Sequence, residues 1–248
     1  MKAMILADLH MCGKIDIADA RRNIRMLMPG NLDVVIICGD ILDGSNQCNP
    51  YKQLTRIFDN DVPVICVLGN HEFFGRTVKD TMAQYTDYYN PDKYDVHYLD
   101  VVGHYDMDVY RFFGNVLWYD GTMSMKPNQD IDTFADGKWA DRLIHNFDWR
   151  KANADCVRQI MDNIGPDHMV NVLCTHCCPH GDLNLHLSDP MSDFNAYSGM
   201  MNLLDCIKPD YAFCGHTHRR IVGKYIGDCK CVNVGNDLYE FKSVILDI

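Results

Sequence analysis

Seven residues of this sequence have side chains that commonly bind metal ions, and each lies just after a short apolar run. Two are Asp, one is Asn and four are His. Carboxylate and amide oxygens combined with imidazole nitrogens suit divalent transition metals, and seven such groups suit two ions. The residues are Asp8, His10, Asp40, Asn70, His176, His216 and His218.

The five apolar runs that precede these residues predict buried β-strands. They cover residues 5–7, 34–38, 64–68, 170–174 and 211–214, and turn residues bound them. Strands of an open α/β sheet place their binding residues in the crevice beyond their carboxyl ends. We therefore expect the seven side chains to converge on one edge.

The first part of the chain predicts alternating strands and helices. Apolar residues keep a helical spacing from 16 to 28, where Pro29-Gly30 ends the helix. Further helices are expected near residues 51–59 and 77–89. This β-α-β-α-β order predicts a parallel sheet with right-handed crossovers.

Later segments have a pattern typical of antiparallel strands, with Gly114-Asn115 predicted as a turn. Together the segments predict an α/β fold, a layered α-β-β-α sandwich of two packed mixed sheets with helices on both outer faces. The metal site is expected at the C-terminal ends of the strands. The later segments cover residues 96–101, 109–113, 116–119, 221–226, 230–234 and 244–248.

Length and charge limit the classes of function. The 248 residues fit a single domain over residues 1–248. The formal net charge of −11 argues against broad nucleic-acid binding and against docking on anionic membranes. It does not exclude an anionic substrate, because bound metals can be the largest local charges in a site.

The twelve cysteines predict free thiols in a reducing compartment. Four of them lie in apolar strands, where Cys behaves as a small hydrophobe. No signal peptide and no apolar stretch of membrane-spanning length are evident, so we expect a cytoplasmic protein. Cys174 and Cys177 form a C-x-x-C pattern, but a redox or structural-zinc role is disfavoured because His176 lies between them.

Two polar stretches, residues 120–149 and 179–196, are expected to form the walls that select the substrate. The first is predicted to contain at most one short helix. Its Trp139 and Trp149 are candidates for stacking on a base or sugar. His180 lies close to His176 in sequence, and both a contact with substrate and a solvated loop position are open.

The ordered motifs resemble those of the calcineurin-like binuclear metallophosphoesterase superfamily. They are D-x-H, G-D, G-N-H-E, a lone His and G-H-x-H, and they span Asp8 to His218. Each motif alone is weak, but all five in this order are highly specific. The resemblance implies a metal-dependent phosphoesterase with two divalent transition metals, for which Mn, Fe, Zn and Ni are all suitable.

The resemblance also implies a role for each residue. His71 would act beside the metals as general acid or phosphate contact, and a metal-bridging hydroxide would be the nucleophile. The first metal would be held by Asp8, His10 and His218, the second by Asn70, His176 and His216, and Asp40 would bridge the two.

Two acidic residues near the motifs have alternative interpretations. Asp43 is interpreted as a hydrogen-bond acceptor that orients a ligand His, with a turn cap as the alternative. For Glu72, a functional role and a local hydrogen-bonding role are equally open.

Charge counting favours a phosphorylated small molecule as substrate. Two divalent ions bring about +4, and Asp8, Asp40 and one hydroxide bring about −3. The remaining positive charge suits an anionic phosphoryl group, and Asn70 adds an oxygen ligand without adding charge.

Two features favour a phosphodiester, of nucleotide or cyclic type. Protein Ser/Thr phosphatases of the superfamily have a phosphate-binding Arg where Gly44 follows Asp43 here. The closing residues 215–218 resemble the phosphodiesterase branch. A phosphomonoesterase acting on a small metabolite or nucleotide is the alternative. A nuclease and a non-catalytic scaffold are less favoured, the latter because every ligand is present.

Overall fold

The computed structural model describes residues 1–11, 16–42, 48–119, 121, 140–184, 203–235 and 241–248. Eleven strands lie within these ranges. They are β1 (Lys2–Leu6), β2 (Val34–Cys38), β3 (Val64–Val67), β4 (Val96–Tyr98), β5 (His104–Met107), β6 (Tyr110–Asn115), β7 (Val170–Thr175), β8 (Tyr211–Cys214), β9 (Ile221–Ile226), β10 (Cys229–Asn233) and β11 (Val244–Asp247).

The strands form two mixed sheets. The first has the order β11-β1-β2-β3-β4, in which β1 to β4 are parallel and β11 is antiparallel to β1. The second has the order β5-β6-β7-β8-β10-β9, with a parallel centre and an antiparallel hairpin at each edge. Strands β2 and β3 are buried throughout, as parallel strands covered on both faces must be.

Helices begin at the capping residues that the sequence supplies. Asp16, Asn49 and Thr77 each accept a hydrogen bond from a backbone N–H of the first turn that follows. In the described residues, no helix has the length and apolar character needed to span a membrane. The helices are α1 (Ile17–Leu27), α2 (Pro50–Phe58), α3 (Val78–Tyr88), α4 (Leu99–Val102), α5 (Trp149–Asp162) and α6 (Leu203–Ile207).

Three apolar layers stack through the molecule. Because side chains alternate along a strand, Met4 of β1 faces an outer layer shared with α1, α2 and α3, whereas Ile5 faces the layer between the sheets. Leu173 of β7 faces the other outer layer, which it shares with Ile160 of α5 and Leu204 of α6. The predicted α-β-β-α sandwich is confirmed.

Residues 96–101 do not form one strand. Strand β4 ends at Tyr98, and the short helix α4 follows until Gly103. This turn of helix lets Leu99 pack between the sheets while the buried carboxylate of Asp100 accepts backbone hydrogen bonds from Leu68 and Val116. Those acceptor contacts depend on distant segments, so the local pattern did not reveal them.

The predicted turn at Gly114-Asn115 is also wrong. Both residues continue β6 beside β7, and residues 116–119 are not a strand. The turn between β5 and β6 lies at Asp108 and Val109 instead. Glycine at position 114 lets the backbone of β6 approach that of β7 closely, because a Cβ there would clash with the carbonyl of Cys174.

The last predicted strand lies in the same sheet as the first strand of the chain. Strand β11 joins the first sheet, where Val244 pairs with Ile5 and Asp247 with Lys2. The edge of β1 is therefore covered by the end of the chain. Hydrophobic alternation alone does not indicate which of two sheets a strand joins.

Candidate metal centre

The seven predicted ligands come together at one rim of the sandwich, and both sheets contribute. Asp8, Asp40 and Asn70 follow β1, β2 and β3 of the first sheet. His176 and His216 follow β7 and β8 of the second. The seven side chains therefore converge as predicted, and they do so where strand ends of both sheets meet.

Asp40 lies in the middle of the donor groups. Its Oδ1 is 3.4 Å from Nε2 of His176, and its Oδ2 is 3.8 Å from Nε2 of both His10 and His71. The Asp40 side chain is only 2% exposed. A buried carboxylate thus lies close to imidazoles that follow strands of both sheets.

Donor atoms gather around Asp40 in overlapping groups. Atoms of Asp8, His10 and His218 lie within 4.8 Å of one another, and so do atoms of Asp8, Asp40 and His176. Nε2 of His176 is also 3.0 Å from Oδ1 of Asn70 and 3.1 Å from Nδ1 of His216. The carboxylate, amide and imidazole donors of this rim fit two divalent transition metals.

Five of the seven predicted ligands have a left-handed backbone conformation. Non-glycine residues seldom have positive φ, although Asp and His tolerate it better than most. Several such residues clustered at one rim are typical of a functional site, where tertiary structure holds an unfavourable backbone. The φ values are 54° for Asp8, 44° for His10, 50° for Asp40, 68° for His216 and 53° for His218.

Gly39 provides the space for a ligand from the other sheet. Its φ is +80°, and a Cβ at this position would clash with the imidazole ring of His176. Nδ1 of the same ring is 2.9 Å from the carbonyl oxygen of Cys38. That contact directs Nε2 toward the donor group, because a metal-binding His usually donates its other ring N–H to an acceptor such as a carbonyl.

Glu72 has a structural role in these contacts. Its two carboxylate oxygens accept hydrogen bonds from the backbone N–H groups of Leu42 and Gly69, at 2.7 and 2.6 Å. Burial, and secondarily the carboxylate of Asp40, raises the pKa of Glu72 to about 8. The local hydrogen-bonding interpretation therefore accounts for this residue, which ties together the loops that carry Asp40 and Asn70.

The electrostatics of the rim reflect burial and close opposite charges. Burial alone would raise the pKa of Asp40, but the charges of His176 and His71 outweigh it and hold that pKa well below its ordinary range. Burial would lower the pKa of His176, yet Asp40 raises it to about 10. Burial raises the pKa of Asp8 despite the opposing charge of His218. A cation bound here would compete with protons for these groups.

The proposed substrate-contact residues have varied surroundings. Trp149 begins α5 and is half-buried, with the Arg150 guanidinium 4.1 Å from the centre of its ring. His180 is the N-cap of the 3-10 helix Gly181–Leu183, and its Nδ1 accepts a hydrogen bond from the backbone N–H of Asp182. Trp139 and Asp43 lie outside the described residues.

The C-x-x-C cysteines do not form a site. Cys174 packs in the layer between the two sheets, whereas Cys177 packs in the outer layer beside the first sheet. Both thiols are buried, and burial raises the pKa of each. The two thiols therefore do not lie together as a pair, although the residues are close in the sequence.

The sequence analysis missed two buried carboxylates. Asp141, in the 3-10 helix Ala140–Leu143, accepts a hydrogen bond from the side-chain amide of Asn70 at 2.8 Å. Asp100 joins the chain beyond β3 to the chain beyond β6 through the N–H groups of Leu68 and Val116. The only sequence signal for Asp100 is an acidic residue inside an apolar run, and Asp141 has none.

The fold and the rim define a layered α/β protein with a candidate two-metal centre. The sequence profile of the calcineurin-like phosphoesterases matches residues 1–220, and the chain belongs to that family. Members of the family act on phosphorylated substrates. Membership therefore places this chain in the class of metal-dependent phosphoric ester hydrolases.

Two solved structures illustrate the shared fold. A phosphopantetheinyl hydrolase from Mycobacterium tuberculosis has a TM-score of 0.70 and 14% identity, covering 94% of this chain and 88% of its own. A dimetal phosphatase from Danio rerio has a TM-score of 0.51 and 12% identity, covering 99% of this chain and 91% of its own. A search of curated proteins by sequence finds no match.

Proposed function

We propose that this protein hydrolyses a phosphodiester, of nucleotide or cyclic type, at a centre that holds two divalent metal ions. The observation that carries the proposal is the position of the buried Asp40 carboxylate among imidazoles from both sheets. Its oxygens lie 3.4 to 3.8 Å from His10, His71 and His176.

The ligand set is proposed to form two groups that share Asp40. Bound divalent ions would polarise the phosphoryl oxygens and lower the pKa of an attacking water. Asp40 would be shared, and its ionised form is favoured by the imidazoles around it. The remaining ligands would be Asp8, His10 and His218 on one side, and Asn70, His176 and His216 on the other.

His71 is proposed to give a proton to the leaving group. Its side chain is 24% exposed, so it lies at the open side of the rim, unlike Asp40 beneath it. Its ring packs against the rings of both His10 and Phe74, and the centroid of each lies 4.5 Å from the centroid of the His71 ring. This packing limits the directions in which Nε2 can point.

Charge balance supports a diester over a monoester. Two divalent ions with the carboxylates of Asp8 and Asp40 and one hydroxide leave about one positive charge. A diester carries one negative charge at neutral pH, whereas a monoester carries nearly two. An Arg that could offset the second charge does not follow Asp43 in this sequence.

The substrate wall is proposed to include Trp149 and His180, with Trp139 of the same polar stretch. Aromatic faces can stack on a base while the metals bind the phosphate. The half-buried position of Trp149 at the start of α5 leaves part of its side chain accessible.

An activity screen tests this function. The full chain, reconstituted separately with Mn, Fe, Zn or Ni, would be assayed against a bis-aryl phosphate, an aryl monophosphate and a cyclic nucleotide. We expect a higher kcat/KM for a diester than for the monophosphate. The reverse order would establish the monoesterase alternative, which the phosphatase among the similar structures makes worth testing. No turnover with two metals bound would indicate a scaffold.

A further inference from the structure

Asp141 brings a further buried carboxylate to the candidate metal centre without joining the proposed ligands. Its side chain is 1% exposed, and its Oδ1 accepts a hydrogen bond of 2.8 Å from Nδ2 of Asn70, 71 positions away in the sequence. Among the described residues, Asp141 belongs to none of the groups whose donor atoms lie close enough to share a metal.

The contact decides which end of the Asn70 amide faces the centre. An ionised carboxylate only accepts hydrogen bonds, whereas an amide has a donating nitrogen and an accepting oxygen. Asp141 therefore attracts the nitrogen, and Oδ1 of Asn70 faces Nε2 of His176 at 3.0 Å. Only this orientation offers an oxygen ligand to a cation.

We propose that Asp141 is a positioning residue that holds the carbonyl oxygen of Asn70 ready to bind the metal. The inference rests on the proposed role of Asn70 as a ligand. Hydrogen bonds to charged groups are stronger than those between neutral groups. A carboxylate that accepts from the amide nitrogen therefore also polarises the amide and makes its oxygen a better metal ligand.

The backbone around Asp141 holds it in place relative to Asn70. The N–H of Gly75 donates to the carbonyl of Leu143 at 2.9 Å, and the N–H of His145 donates to the carbonyl of Arg76 at 2.8 Å. These bonds attach residues 143–145 to the chain that follows His71. Residues 143–145 are thereby held close to the chain that carries Asn70 and His71.

A titration with Co²⁺, followed by its visible absorption, tests the inference on the intact chain. The wild type should bind two ions. In Asp141→Asn, the ion on the Asn70 side should bind 10–100-fold more weakly, as is usual when an outer hydrogen-bond partner of a ligand is lost, while the other ion is unaffected. Asp148→Asn is the matched control, because Asp148 is exposed and Asn also caps α5.

Two further variants separate positioning from general destabilisation. Asp141→Glu retains an acceptor-only group and should recover part of the affinity, so equal losses in the Glu and Asn variants would overturn the inference. In an Asn70→Ala background, Asp141→Asn should cause no further loss, because the effect acts through Asn70. An additive loss would also overturn it.

Failure of the proposed ligand set has a different signature. If Asn70→Ala binds two Co²⁺ ions as the wild type does, Asn70 is not a ligand, and the ligand assignment and the inference fall together. If Asn70→Ala loses one ion while Asp141→Asn retains both at wild-type affinity, only the positioning role is wrong.

Discussion

Oδ1 of Asp40 lies 3.4 Å from Nε2 of His176, although the two residues follow strands of different sheets. The candidate metal centre therefore also connects the halves of the sandwich. Each side chain is buried, and each changes the pKa of the other in the direction that favours its charged form. A bound cation would replace the proton between them.

Replacing Asp40 should reduce metal content and activity together. A carboxylate can share its charge between two cations, whereas the amide of Asp40→Asn cannot. We expect fewer than two metals per chain by elemental analysis, with a parallel loss of turnover. The variant Asp61→Asn, on the exposed surface, is the control. Two metals with near-normal turnover in Asp40→Asn would refute the bridging role.

His71→Asn should keep both metals and lose rate. General acid catalysis commonly contributes about 10²–10⁴-fold, so kcat should fall within that range for a diester with a poor leaving group. The loss should be smaller when the leaving group needs no protonation. Steady-state rates for a series of aryl diesters measure this dependence. Equal losses across the series would assign His71 to phosphate binding.

Gly39→Ala should weaken both the fold and the metal centre. The left-handed backbone alone costs a residue with a Cβ about 1–2 kcal/mol, and the methyl group would displace the His176 ring. Chemical denaturation and metal titration measure the two effects. Gly30→Ala is the matched control, because nothing lies within 4 Å of its added Cβ. Equal metal affinity in the two variants would contradict the steric argument.

Trp149→Ala should affect substrate choice more than chemistry. We expect a higher KM for a nucleotide-type diester and little change for a minimal aryl diester, which has no base to stack. Trp149→Phe keeps an aromatic face and should lie between the two. If both substrates lose activity in parallel, the ring is a packing residue beside Tyr119 and Arg150.

Asp100 should make stability fall as the pH rises. Burial raises its pKa from 3.8 to about 7, so folding favours the protonated carboxyl. Its contribution is fully present below the unfolded pKa of 3.8 and is lost as the pH rises through about 7. One unit of pKa corresponds to about 1.4 kcal/mol, so the free energy of unfolding should change by a few kcal/mol.

The variant Asp100→Asn should reduce the fall in stability with rising pH, as denaturant titrations across the window would show; the raised pKa of Glu72 leaves a further contribution of the same sign. Asp106→Asn is the control. Its hydrogen bond to Arg111 lowers the pKa of Asp106, so its contribution disappears only at lower pH. An unchanged slope in Asp100→Asn would show that another group controls stability in this range.

The sequence alone was enough to predict which residues are candidate metal ligands. Metal binding depends on residue type, and apolar runs ending at Asp8, Asp40 and His176 indicate strands whose ends carry those side chains. The first parallel strands and the layered arrangement follow from the same local patterns. These features can be predicted from the sequence because each depends on residues that are only a few positions apart in the chain.

The tertiary structure decided the features that join distant segments. It brought β7 and β8 of a second sheet to the rim, placed β11 beside β1, and turned residues 99–102 into a helix. It also brought Asp141 to Asn70. These features depend on packing between segments that are far apart in the chain. The spacing of residues along the sequence carries no information about which distant segments pack together.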